Sequence, residues 1–88
     1  MTKIVNLRKE KYDVYIGRGS DFGNPFKIGE DGTREEVIEK FHWYFHGRLA
    51  RDEEFDKKVL ALKGKRLGCY CKPKDCHGDE IVKYLENK

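Results

Sequence analysis

The chain has 88 residues, 40% of them charged and 38% hydrophobic, and a formal net charge of +3 from 19 basic and 16 acidic side chains. That length fits one domain over residues 1–88, and no apolar run approaches the roughly 20 residues a bilayer span requires. The start, MTKIVNLRKEKYD, lacks the apolar core of a secretory signal, so the composition argues against a transmembrane protein, a secreted precursor and a multidomain enzyme, and for a cytoplasmic domain.

Lys3 to Leu7 is a short β-prone run, and Asp13 to Gly17, with Val14, Tyr15 and Ile16, is a second. The polar stretch Arg8 to Tyr12 between them suits a hairpin loop or a short crossing. From Gly17 to Gly32 the chain reads GRGSDFGNPFKIGEDG, a density of turn formers that marks a shaped loop. Thr33 and Glu36 then form a capping box. The helix it opens places Val37, Ile38, Phe41, Tyr44 and Phe45 at intervals of three and four, with Gly47 as its expected weak point. A second helix is expected over about Asp52 to Leu62, stopped by Gly64. Arg66 to Cys71 reads as a third strand, broken by Pro73, and Gly78 to Leu85 as a last helix. The order β-β-loop-α-α-β-α predicts a small α/β domain of about three strands with helices packed on the sheet. In open α/β sheets ligands bind at the carboxyl ends of strands, which here means the turn after the third strand.

All three cysteines, Cys69, Cys71 and Cys76, fall within eight residues. An odd number without a secretory signal argues for free thiols in a reducing compartment. Asp75 is a plausible N-cap, which would put Cys76 and His77 in the first turn of the last helix, where the dipole and the imidazole both favour thiolate. Three readings stay open: packing cysteines with a hydrogen-bonded histidine; a catalytic or ligand site of Cys71, Cys76, His77 and Asp79; or zinc on Cys69, Cys71, Cys76 and His77. The spacing C-x-C-x-x-x-x-C-H departs from the familiar zinc knuckles, so no cofactor is the leading expectation and zinc the weaker one.

The loop from Gly17 to Phe26 supplies glycines for close backbone approach, Arg18 for a bidentate contact to phosphate or carboxylate, Ser20 for a hydroxyl and Asn24 for a rigidly presented amide before Pro25. Arg18, Gly19, Ser20, Gly23 and Asn24 are therefore the expected ligand-binding set. No Walker or dinucleotide fingerprint accompanies them, and Phe22 and Phe26 read either as an apolar wall or as anchors. His42 and His46 sit four apart on the first helix without an evident acidic partner and read as solvated. Trp43, Tyr44 and Phe45 read as core plus one exposed ring, and an exposed Trp43 would suggest a dimer surface. The basic runs (Arg8, Lys9, Lys11; Lys63, Lys65, Arg66; Lys72, Lys74) are short and interleaved with acids, so nucleic-acid binding is weakly supported.

The blocks I-V-N-L-R, Y-I-G-R-G-S-x-F-G-N-P-F, D-G-T-R-E-E-V-I and K-R-L-G-C-Y-C-K-P-K-D-C-H-G-D resemble a family of short phage and bacterial domains, the domain of unknown function "forty-three twenty-six". The resemblance covers nearly the whole chain. It implies that Arg18, Gly19, Ser20, Gly23, Asn24, Pro25, Cys71, Cys76, His77, Gly78 and Asp79 are functional, and it implies no activity. A shorter fragment, G-T-x-x-E at 32–36, is similar to part of the nucleotide-binding motif of lysine-decarboxylase-like Rossmannoid proteins, with Glu30-Asp31 where that motif has a double glycine.

Together these readings predict one pocket between loop 17–26 and turn 69–79, binding a small anionic, phosphate-bearing nucleotide-like ligand, with Cys71 or Cys76 plus His77 and Asp79 as candidate catalysts. The rival is a zinc-stabilised, non-enzymatic module that binds nucleic acid or a partner protein. Whether the chain turns over a substrate, and its oligomeric state, stay open.

Overall fold

A computed structural model describes residues 2–71 and 74–88. The expected break at Pro73, and Lys72 of the last basic run, lie outside the described residues. The elements follow the expected order: β1 (Lys3–Asn6), β2 (Val14–Tyr15), α1 (Arg34–Arg51), α2 (Glu53–Leu60), β3 (Arg66–Cys69) and α3 (Gly78–Glu86).

The sheet is wholly parallel, with β3 in the middle and the order β1-β3-β2. Ile4 pairs with Leu67, and Val14 with the same Leu67 from the other side. A hairpin between β1 and β2 is therefore excluded. The polar stretch is the short crossing, because it must return to the start of the sheet to launch a second parallel strand. Gly68 makes the crossing possible: a Cβ there would stand 2.7 Å from the Tyr12 ring, which lies on the sheet where a side chain would otherwise project. By strand alternation Leu67 and Cys69 point the opposite way, into the core with Ile16, Phe41, Phe45, Phe55, Val59, Ile81 and Leu85.

The capping box on α1 forms in both directions: the Glu36 N–H donates to Thr33 Oγ1 (3.2 Å) and the Thr33 N–H to Glu36 Oε1 (2.9 Å). Gly47 does not stop the helix, which runs on to Arg51. The break comes instead at Asp52, whose Oδ1 accepts the Phe55 N–H (3.1 Å) and caps α2. A capping carboxylate outweighs the modest helix penalty of one glycine. Among the described residues no helix is long and apolar enough to cross a membrane. Trp43 is 70% exposed, and Phe41 and Phe45 are the buried residues beside it on α1.

Candidate functional site

Because β2 and β3 are parallel neighbours, the segments leaving them emerge at the same end of the sheet. That topology brings the loop after β2 and the turn after β3 together, and the His77 Nε2–H joins them directly by donating to the Ile16 carbonyl (2.7 Å). Between them lies a cavity of about 390 Å³. Arg18, Asn24, Phe26 and Ile28 line it from the loop, Arg34, Val37 and Ile38 from α1, and Cys69, Tyr70, Cys71, Asp75, Cys76 and His77 from the turn, with Tyr15 closing one side.

The turn supplies a compact Cys/His wall. Cys69 and Cys76 are buried with their Sγ atoms 2.9 Å apart. Cys76 Sγ also accepts the Gly78 N–H (3.3 Å) and lies 3.5 Å from His77 Nδ1. Since a carbonyl can only accept, the bond to Ile16 puts a proton on Nε2 and leaves Nδ1 of the neutral ring as the free lone pair facing sulfur. The two thiols titrate as a pair. The Cys76 hydrogen bond brings Cys69 down to about 5 against the opposing effect of burial, while the shared contact and then burial push Cys76 up. Cys71 is half-buried on the same wall, its thiol pushed up by burial and by Cys69, with the Arg34 guanidinium acting the other way.

Asp75 does not cap α3 as expected. The N-cap position falls to His77, which makes no side-chain cap bond, so Cys76 and His77 precede the helix rather than forming its first turn. Asp79 fastens this turn instead, its Oδ2 accepting the Cys76 N–H (3.2 Å), and it does not line the cavity. Asp75 faces the cavity, and its carbonyl accepts a bond from Arg34 Nη1 (3.1 Å).

The glycine-rich loop faces two spaces. Arg18 and Asn24 reach the cavity and, together with Gly19, Ser20 and Gly23, also line a second hollow beside Tyr44 and Arg48. The Ser20 hydroxyl is used within the loop, donating to the Gly17 carbonyl (2.7 Å) and accepting the Phe22 N–H (3.3 Å). A Cβ at Gly23 would meet the Gly17 carbonyl oxygen at 2.6 Å, so this glycine serves the loop's own closure. Asn24 bridges elements: its Nδ2–H donates to the Val37 carbonyl (3.0 Å) and its Oδ1 accepts the Phe26 N–H (2.9 Å). Phe26 is cavity wall, while Phe22 anchors the loop against Phe55.

The family model for a domain of unknown function (DUF4326) matches residues 2–87. The chain belongs to this family. It is 42% identical over 89 residues to an uncharacterized 12.4 kDa protein from the nrdA-td intergenic region of Enterobacteria phage T4, covering 100% of this chain and 80% of that protein. It is 36% identical over 69 residues to an uncharacterized protein of Acanthamoeba polyphaga mimivirus, covering 67% of this chain and 49% of that one. No solved structure matches.

Two features of this DUF4326 chain escape a reading of its sequence. Arg34 looks like an ordinary first-turn helix residue, yet the capping box fixes α1 so that its guanidinium reaches Asp75 and Cys71 across the cavity. The R-E-E that follows the N-cap is the one signal the sequence offers for it. His42 and His46 do have an acidic partner: Glu80, from the first turn of α3, places Oε1 2.5 Å from His42 Nδ1 and 2.8 Å from His46 Nε2. Burial raises the Glu80 pKa, but the two imidazole hydrogen bonds outweigh that and hold it below the ordinary value of 4.5. Only tertiary packing joins residues so far apart in sequence.

Proposed function

We propose that the cavity binds a small anionic ligand carrying a phosphate and a planar, nucleotide-like body. The observation that supports this reading most is the pairing of two arginines with apolar walls. Among the described residues neither Arg18 nor Arg34 forms an ion pair, and both line a space that also holds Tyr15, Phe26 and Tyr70. Guanidinium groups bind phosphate through charge-assisted, often bidentate hydrogen bonds, and aromatic walls suit a flat ring. A volume of about 390 Å³ is of the size that holds small ligands. Any reaction on that ligand would fall to the Cys/His wall, with Cys71 or Cys76 as nucleophile, His77 moving the proton and Asp79 holding the turn in place.

A thermal-shift comparison of adenosine monophosphate, ribose 5-phosphate and inorganic phosphate tests the binding. A ligand at 100 times its Kd stabilises by about 2.7 kcal/mol, which in a domain this size raises Tm by roughly 10 °C or more. The nucleotide should give the largest rise and Arg18→Ala should abolish it. No shift with any of the three at millimolar concentration would overturn the reading. The second reading, a zinc-stabilised module binding nucleic acid or protein without turnover, draws on the orientation of His77; it predicts metal in the protein and no response to small anions.

A further inference from the structure

We propose that Cys69, Cys76 and His77 hold a zinc ion whose fourth position opens into the cavity; this deepens the ligand-binding reading, rests on it for the identity of what approaches the metal, and takes Cys76 and His77 out of the nucleophile and proton-moving roles, leaving Cys71 as the free thiol of the wall. The donor atoms are Cys69 Sγ, Cys76 Sγ and a His77 ring nitrogen, all within 4.8 Å of one another and all on buried residues. The His77 ring is set as a ligand should be: Nε2–H is tied to the Ile16 carbonyl (2.7 Å), which turns Nδ1, the lone-pair nitrogen of the neutral tautomer, toward Cys76 Sγ. A backbone carbonyl on the far nitrogen is the usual support of a metal-bound histidine, fixing both tautomer and ring orientation.

Bond lengths decide whether an ion fits. Zinc–sulfur and zinc–nitrogen bonds of about 2.3 and 2.0–2.1 Å at tetrahedral angles put sulfur and nitrogen about 3.5 Å apart; Cys76 Sγ and His77 Nδ1 stand 3.5 Å apart. The same geometry puts two sulfurs about 3.8 Å apart, so Cys69 and Cys76, now 2.9 Å apart, must part by about 0.9 Å. Zinc binding replaces the sulfur–sulfur contact: two zinc–thiolate bonds form, and each proton the pair still carries, two if both are thiols and one if the pair is already a thiolate–thiol, passes to solvent. The Gly78 N–H that now meets Cys76 Sγ at 3.3 Å is equally suited to a coordinating thiolate. Two thiolates cancel the charge of the ion, so Arg18 and Arg34 are not repelled from the cavity.

Cys71 does not complete this donor set, although its half-buried thiol interacts with those of Cys69 and Cys76. Three protein ligands and one open position is the arrangement of a zinc that acts on water or substrate, whereas structural sites are closed by four. All three donor residues line the cavity, so the open position is reached from the ligand's side, by water or by the ligand's own anionic oxygen.

The test is metal analysis of the full chain purified without chelator, with cobalt(II) titration as a second readout on the unmutated protein. One zinc per chain is expected, and cobalt should give the visible bands of a tetrahedral thiolate complex that shift when azide fills the open position. His77→Ala should lower zinc affinity at least 100-fold; Cys71→Ser, Arg18→Ala and the His42→Ala/His46→Ala pair should leave it unchanged. A protein that binds neither zinc nor cobalt through sulfur overturns the proposal. So does loss of metal in Cys71→Ser, or a cobalt spectrum indifferent to azide, since either means a closed site. The ligand-binding reading fails separately: metal present with no thermal shift from adenosine monophosphate sinks that reading alone, and an Arg18-dependent shift in protein that binds no metal sinks only the zinc.

Discussion

Two histidine clusters flank the start of α3, and they differ in what surrounds them. Cys69, Cys76 and His77 are buried at the end of the sheet, each bonded in a fixed direction, and they border a cavity. His42, His46 and Glu80 sit on the seam between α1 and α3, with both histidine side chains more than a third exposed. The donors differ, two thiols and an imidazole against two imidazoles and a carboxylate, and so does the exposure to solvent. A buried polar group that loses its partner bears the full desolvation cost, whereas an exposed ion pair exchanges its partner for water. The first cluster should therefore govern stability and chemistry, and the second should be a modest clamp.

Replacing His77 breaks this contrast most directly. His77→Ala removes the bond that joins the loop to the turn, leaves the Ile16 carbonyl unpaired and opens a void against Phe41, whose ring centroid lies 5.1 Å from the imidazole. The expected loss is about 2–4 kcal/mol in urea unfolding, against about 1 kcal/mol or less for His42→Ala with His46→Ala. Equal losses would mean that burial is not what separates the clusters.

Arg18 sharpens the buried side. Among the described residues its guanidinium makes no ion pair, and the bond that Arg18 does make, from the Tyr15 hydroxyl, falls on its backbone carbonyl. Arg18→Ala should therefore leave unfolding unchanged while weakening binding of adenosine monophosphate by about 1.5–3 kcal/mol in calorimetry. Arg34→Ala should lower both, because Arg34 also ties α1 to the Asp75 carbonyl. Full affinity in both variants would remove the anion from the cavity.

Much of this was legible in the sequence, and the exceptions share a cause. Element order follows from local signals: the Thr33–Glu36 box, the apolar spacing on α1, and the glycines that end runs. Arg18 and Asn24 were readable as cavity residues because they stand in a loop leaving one strand while the thiols stand in a turn leaving another. Strand direction was not readable, since the crossing over Gly68 depends on Tyr12 finding a flat place on the sheet. Nor were Arg34 and Glu80, whose partners are brought to them by helix packing. Ser20 shows another limit: a hydroxyl among glycines reads as a ligand contact, while the fold uses it for backbone bonds within its own turn. Ser20→Ala should cost about 0.5–1.5 kcal/mol of stability and leave affinity for adenosine monophosphate unmoved; a selective loss of affinity would return Ser20 to the binding set.

The seam cluster offers the smallest effect and the clearest pH signature. Glu80 is held below its ordinary pKa of 4.5 in the folded chain, so its carboxylate form is the one folding favours. Its contribution is fully present above that ordinary value and is lost as the pH falls through the lower, folded-state value. Glu80→Gln keeps the shape and one acceptor oxygen but removes the charge that draws both imidazoles. The variant should trail the unmutated protein by a few tenths to about 1 kcal/mol near neutrality, and the two denaturation curves should converge in acid as the carboxylate protonates. Added salt should narrow the gap as well, because the histidines are partly solvated. A gap that persists undiminished in acid would show that Glu80 acts through packing alone, and the seam would then resemble the buried cluster more than its exposure implies.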